Sequence, residues 1–112
     1  KALTLILALS YGSREEIADA SRQIALKVQS GELSPDDIDN DTISKHLDTA
    51  EFPDPDLLIR TSGEFRLSNF LLWQLSYAEI VISSKNWPDF RKSDFQEAVE
   101  NYSRRHRRFG RV

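Results

Sequence analysis

The sequence predicts an α/β protein with a mostly parallel sheet flanked by helices. Runs rich in Leu, Ile and Val alternate with stretches of helical period. The runs are strand-sized, and they lack the polar alternation of a sheet that is wet on one face. The expected order is β-α-α-α-β-α-β-α, a single partial domain over residues 1–112. Three strands are few for a sheet covered on both faces, so further strands are expected upstream. The chain opens on Lys1 rather than Met, in keeping with a start inside a longer protein.

Leu3-Thr4-Leu5-Ile6-Leu7-Ala8-Leu9 is the first expected strand, followed by a turn at Tyr11-Gly12. Ser13-Arg14-Glu15-Glu16 predicts a capping box, with Ser13 accepting from a first-turn amide and Glu16 reaching back. Ile17, Ala20, Ile24 and Val28 give the helix an apolar face, and Gly31 stops it. Ser34-Pro35-Asp36-Asp37 starts a short helix with Pro35 at its first position. Residues 42–47 predict another, using Ile43 and Leu47, and Pro53 and Pro55 then favour extended chain. Leu57-Leu58-Ile59 is the second strand, broken by Thr61-Ser62-Gly63. Ser68 or Asn69 caps an expected helix over residues 70–77, apolar nearly all round and so expected to be buried. Ile80-Val81-Ile82 is the third strand and Trp87-Pro88-Asp89-Phe90 an aromatic turn. Ser93-Asp94-Phe95-Gln96 predicts a second capping box, opening a helix with Phe95, Val99 and Tyr102 on one face that ends near Gly110.

Composition is that of a water-soluble globular protein, 39% hydrophobic and 29% charged, and the net charge of −3 gives no pull toward nucleic acid or anionic membrane. The absence of cysteine excludes disulfides and thiolate metal sites. No apolar run approaches the ~18 residues of a bilayer span, and no signal peptide pattern is present. Residues 32–56 carry nine of the eighteen acids and are expected to be outer surface. Residues 104–111 carry five Arg and His106, which either complement a helix dipole or bind phosphate. His46 and His106 are far apart in sequence and expected at the surface.

One constellation carries chemistry. Arg60 directly follows a strand, and in open α/β sheets ligands sit beyond the carboxyl ends of the strands. Arg66 follows six residues later, then Ser68 at an expected helix start. Two guanidinium groups, a hydroxyl and free helix-start amides suit phosphate or diphosphate, and Ser62 and Gly63 let the backbone approach closely. Glu64 lies between the two Arg, placed to orient one of them by a salt bridge or to act on substrate; orientation is preferred, because an Arg pair needs a counter-charge when no ligand is bound. Glu79 is a candidate Mg2+ ligand, because Mg2+ takes one or two protein carboxylates plus phosphates and water. The same residues also fit a structural ion network, and spacing alone leaves both readings open. The phosphate loop pattern G-x-x-x-x-G-K is absent.

Residues 56–79, DLLIRTSGEFRLSNFLLWQLSYAE, closely resemble the signature of cis-prenyltransferases, the undecaprenyl diphosphate synthase family. Leu3-Thr4-Leu5 with Ser10-Tyr11-Gly12-Ser13-Arg14, Trp87-Pro88-Asp89-Phe90 and Arg107-Arg108-Phe109-Gly110 match in the family's order, so the resemblance runs from about residue 2 to residue 110. It implies the C-terminal part of the cis-prenyltransferase fold. Arg60, Arg66, Leu67 and Ser68 would bind isopentenyl diphosphate, supported by Glu64 and Asn69, and Glu79 would help hold Mg2+. Arg108 and Gly110 would reach across a homodimer, and residues 3–9 would line the tunnel for the growing chain.

The implied reaction condenses isopentenyl diphosphate onto an allylic diphosphate such as farnesyl diphosphate, giving a polyprenyl product, undecaprenyl by default. The implied setting is cytoplasmic, without nucleic acid or a transmembrane segment, with peripheral membrane association through the lipid product. The family's D-G-N-G-R-W run and its catalytic Asp have no counterpart here, so no catalytic residue is assigned within these residues and the chain alone is expected to be inactive. Ser10 stands where the family usually has Asn, and Phe65 where some members have a polar residue or His. The alternative is a non-catalytic subunit supporting a catalytic partner; the intact Arg60, Arg66, Ser68 and Glu79 argue against it. An Arg-tail nucleic-acid module is disfavoured by the acidic total charge and the lack of a binding motif.

Overall fold

Apolar residues at helical spacing produce helix α1 (Ser13–Gln29), and Ala20 and Ile24 on that face are buried. The computed structural model describes residues 3–109, with side chains described through residue 105. It divides into two units. The first is the chain up to Pro53 together with Ser68–Trp73; the second is Asp54–Leu67 and the chain from Gln74 onward.

In the first unit, α1 stops where the sequence predicts. Gly31 has φ +84°, and the N–H groups of Ser30 and Gly31 donate to the carbonyls of Leu26 and Val28. A single 3-10 turn follows at Pro35–Asp37, with the Ser34 side chain accepting from the Asp36 N–H. Helix α2 (Asn40–Lys45) begins two residues earlier than expected because Asp39 supplies the cap. Its carboxylate accepts from the Thr42 N–H at 3.0 Å, while the Thr42 hydroxyl accepts from the Asp39 N–H at 3.1 Å. Among the described residues, Leu47 and the two α1 residues are this unit's buried apolar side chains. His46, expected at the surface, is half-buried, with Nδ1 2.7 Å from the Thr42 carbonyl.

Three expectations fail in this unit. First, α1 has no capping box: Gly12 precedes the helix and gives no side-chain cap. Ser13 lies inside the helix, fully buried, and its hydroxyl accepts from the Leu72 N–H at 2.9 Å. Glu16 is also buried, accepting from the Tyr11 hydroxyl and, at 2.7 Å, from the Asp48 N–H. Both side chains satisfy distant groups rather than their own helix end.

Second, residues 3–9 form no strand. They are irregular and exposed, Leu3 at 95% and Leu7 at 72%. A strand exists only through a neighbour's backbone groups, and among the described residues none pairs with this run.

Third, residues 70–77, which run on from this unit into the second, form turns rather than a helix. Ser68, Asn69 and Leu71 have φ of +53°, +64° and +47°. Each such non-glycine residue costs about 1–2 kcal/mol. Hydrogen bonds to the start of α1, at about 1 kcal/mol net each, offset that cost. Leu72 gives its N–H to Ser13 at the start of α1, and separately Trp73 Nε1 donates to the Ser44 hydroxyl of α2 at 3.0 Å.

In the second unit, β1 (Leu57–Arg60) and β2 (Glu79–Ile82) pair in parallel, as expected, with Leu57 opposite Glu79 and Arg60 opposite Ile82. Helix α3 (Lys92–Phe109) packs on β2. Its start precedes the expected cap at Ser93; Asp94 instead accepts from the Arg91 N–H at 2.8 Å. Ala98 is the buried residue among those of α3 whose side chains are described, whereas Phe95 and Val99, expected on the apolar face, are 51% and 37% exposed. The aromatic turn is a 3-10 turn, Trp87–Asp89, with the Trp87 and Phe90 rings stacked 5.7 Å apart. Among the described residues no helix is long and apolar enough to cross a membrane. The expected helix end at Gly110 lies outside the described residues.

Candidate functional site

Arg60 is the last residue of β1, so the strand carries its side chain to the carboxyl end of the parallel pair. The following turn is pinned to the segment after β2. Ser62 and Gly63, with φ of +68° and +66°, donate their N–H groups to the carbonyls of Lys85 and Ser83, each at 2.7 Å. The Ser83 N–H donates to the Arg60 carbonyl at 2.8 Å. A β-carbon at Gly63 would meet only Ser84 Cα, at 3.8 Å, so glycine serves the backbone angle there rather than close approach.

Glu64 leaves this turn between two guanidinium groups. Its Oε1 accepts from Arg60 Nη2 at 2.5 Å and its Oε2 from Arg66 Nη2 at 2.7 Å. The Arg60 hydrogen bond, then the Arg66 charge, holds its carboxyl below the ordinary 4.5. The Arg66 side chain is 63% exposed and that of Arg60 26%, so one cation faces solvent and the other is set deeper. Beside them opens a mostly apolar recess of about 130 Å³, lined by Leu58, Phe65, Leu67, Ile80 and Ile82 besides the two Arg. Arg60, Glu64, Arg66 and Leu67 thus come together within one unit, with Glu64 bridging the two guanidinium groups.

Ser68 and Asn69 belong to the other unit. No helix starts at either, so the helix-start amides expected there do not form. Asn69 is instead seated on the first turn of α1, its carbonyl accepting from the Ser13 N–H and its Oδ1 from the Arg14 N–H, each at 2.8 Å.

Glu79 opens β2 opposite Leu57, so the register puts it at the other end of the strand pair from Arg60, roughly 10 Å along the strand. Its carboxylate lies 3.4 Å from Arg105 Nη1, which also donates to the Ile80 carbonyl at 2.7 Å. A half-exposed carboxylate is chemically suited to Mg2+. Among the described residues no group of three or more metal-ligating side chains gathers. The Arg108 side chain and Gly110 lie outside the described residues.

Sequence reasoning misses the roles of Ser13 and Arg105. Local spacing gives Ser13 to its own helix end, and nothing in a run of Arg singles out Arg105. It also misses a polar cavity of about 280 Å³ between β2 and α3. Lys85 and Asp94 on its wall pair at 3.2 Å, so those charges are matched.

The family model described as "Putative undecaprenyl diphosphate synthase" matches residues 1–110. The chain is 53% identical over 110 residues to an isoprenyl transferase of Porphyromonas gingivalis, covering 98% of this chain and 43% of that protein. It is 55% identical over 107 residues to a tritrans,polycis-undecaprenyl-diphosphate synthase (geranylgeranyl-diphosphate specific) of Methanocaldococcus jannaschii, covering 94% and 38% respectively. Among solved structures, lavandulyl diphosphate synthase from Lavandula x intermedia, in complex with dimethylallyl diphosphate, superimposes with a TM-score of 0.80. That match has 52% identity and covers 83% of this chain and 40% of that one. The chain therefore spans about two fifths of the length of the relatives it matches.

Proposed function

The chain belongs to the undecaprenyl diphosphate synthase family of prenyltransferases, and from that premise we propose that it supplies the isopentenyl diphosphate site of a cis-prenyl elongating enzyme. The observation that carries the proposal is the Arg60–Glu64–Arg66 group at the carboxyl end of β1, beside an apolar recess. The two guanidinium groups take the diphosphate and the recess takes the five-carbon tail. Glu64 holds the pair in place without ligand and shares it when diphosphate binds.

In the proposed reaction the isopentenyl double bond attacks the allylic carbon. The C–O bond to the allylic diphosphate breaks, diphosphate leaves with the bonding pair, and loss of a proton forms the new cis double bond. This chain's residues contribute binding and orientation of the nucleophilic substrate. Mg2+ is the proposed cofactor, with Glu79 as its protein carboxylate after release of Arg105; when bound it supplies positive charge to the departing diphosphate. Ser68 is proposed as a further diphosphate contact, Asn69 as its support, and Arg108 and Gly110 as cross-dimer residues. Farnesyl diphosphate is the proposed allylic substrate and undecaprenyl diphosphate the proposed product, made by a cytoplasmic homodimer that meets the membrane through its lipid product.

The test is steady-state kinetics on an enzyme of family length carrying this chain. Arg60→Ala or Arg66→Ala is expected to raise the KM for isopentenyl diphosphate on the order of a hundredfold, the loss of a charge-assisted contact of about 2–3 kcal/mol. The KM for the allylic substrate should move little. Equal effects on both substrates would contradict the assignment.

A further inference from the structure

Ion pairs join α3 to the strand pair at both ends. Arg105 meets Glu79 at 3.4 Å, and Lys85 Nζ lies 3.2 Å from Asp94 Oδ1. Between these ends lies the polar cavity of about 280 Å³, with Ser83, Ser84 and Lys85 on one wall and Asp94, Glu97 and Asn101 of α3 on the other. Close packing would hold such a segment without side-chain ties. Residues 83–85 face the cavity instead, and the Lys85–Asp94 pair joins its two walls. The same segment grips the turn that carries the candidate diphosphate site. The Ser83 N–H donates to the Arg60 carbonyl at 2.8 Å, and the Ser83 and Lys85 carbonyls accept from the Gly63 and Ser62 N–H groups, each at 2.7 Å. The Ser83 hydroxyl accepts the Lys85 N–H at 3.3 Å, which closes a local turn within the segment. Ser62 stands at φ +68°, an angle that an L-residue does not keep unaided. Glu64 follows two residues later and bridges Arg60 and Arg66. Asp94 is itself fixed, because its other oxygen accepts from the Arg91 N–H at 2.8 Å. A continuous path thus runs from α3 through Asp94, Lys85 and Ser62 to Glu64, all within the second unit.

We propose that Lys85 and Asp94 are positioning residues for the isopentenyl diphosphate site: their ion pair anchors residues 83–85 to α3, and the anchored carbonyls set the turn that places Glu64 between Arg60 and Arg66. The proposal rests on the reading of Arg60 and Arg66 as diphosphate ligands. Neither Lys85 nor Asp94 lines the recess beside the two Arg, so each acts through the backbone it holds. The Lys85 side chain is 48% exposed and that of Asp94 14%, so the pair is partly shielded from solvent and its effect is graded rather than total.

The experiment compares the enzyme of family length carrying this chain with its Lys85→Met, Asp94→Asn, Lys85→Met/Asp94→Asn, Lys85→Arg and Arg60→Ala variants. Both KM values and the melting temperature are measured. Lys85→Met and Asp94→Asn are each expected to raise the KM for isopentenyl diphosphate about fivefold, with the allylic KM changed by less than about 1.5-fold. Asp94→Asn keeps an acceptor for the Arg91 N–H, so the start of α3 stays capped. The melting temperature should fall by at most about 4 °C. The double variant should be no worse than either single one, because the first substitution already removes the pair. Lys85→Arg keeps the charge and should keep the wild-type KM. The sign for Asp94→Asn is decisive. If the pair acted only through its field, losing a negative charge near the site would tighten diphosphate binding, so a lowered isopentenyl KM would overturn the positioning role. A rise with Arg60→Ala but with neither Lys85→Met nor Asp94→Asn would overturn it too and leave the site intact. No rise with Arg60→Ala would overturn the site on which the role depends. Additive effects in the double variant, or parallel rises in both KM values with a large loss of melting temperature, would reduce the pair to a structural bridge and overturn the proposal.

Discussion

Glu64 concentrates the electrostatics of the site in one side chain. Its carboxyl is held below 4.5 by the Arg60 hydrogen bond and the Arg66 charge. A carboxylate depressed in the folded state contributes stability that is present above its unfolded value and lost as pH falls through its folded value. The stability difference between the protein and its Glu64→Gln variant should therefore be flat from pH 7 to about pH 5 and shrink below 4.5, measured as urea midpoints across pH. A difference that grows toward acid would contradict the bridge. At this scale the sequence is informative: alternating charge in Arg60, Glu64 and Arg66 already names the partners. It could not give Glu79 its partner, because Arg105 lies 26 residues away and only the packing of α3 on β2 brings them together.

The elements divide according to where their hydrogen bonds close. Helices α1, α2 and α3 close theirs within a few residues, so their positions are legible in local sequence to within a turn. Gly31 illustrates the local character of these signals. At φ +84°, with nothing within 4 Å of where a β-carbon would stand, its requirement is conformational alone. Gly31→Ala should cost about 1 kcal/mol, and Gly31→Asn less, since Asn tolerates left-handed angles better. Thermal unfolding of the two variants would check this, and equal stability of wild type and Gly31→Ala would contradict it. Residues 70–77 show the limit of periodicity. An all-round apolar run fits a buried helix or a string of half-buried turns equally well, and left-handed Ser68, Asn69 and Leu71 decide for turns.

At the scale of the whole molecule the chain carries two units, about two fifths of a family member. We expect the 112-residue chain alone to bind isopentenyl diphosphate weakly and to elongate nothing, because the catalytic Asp expected of the family has no counterpart in it. Incubation with isopentenyl and farnesyl diphosphates in Mg2+, with extraction of prenyl products, tests this; any chain lengthening would overturn it. The enzyme of family length is expected to sediment as a dimer at micromolar concentration.

By itself the sequence indicated the α/β class, strands at residues 57–59 and 80–82, the helices α1, α2 and α3, and the adjacent charges of Arg60, Glu64 and Arg66, each written in local period, local capping or adjacent charge. The family was legible as a motif resemblance, which the family match bears out. Only the tertiary structure decided that Ser13 and Glu16 serve distant backbone, that Glu79 faces Arg105 rather than Arg60, and that among the described residues no strand pairs with residues 3–9. Strand pairing and long-range hydrogen bonds require a partner remote in sequence, and hydrophobicity announces the need for a partner without naming it.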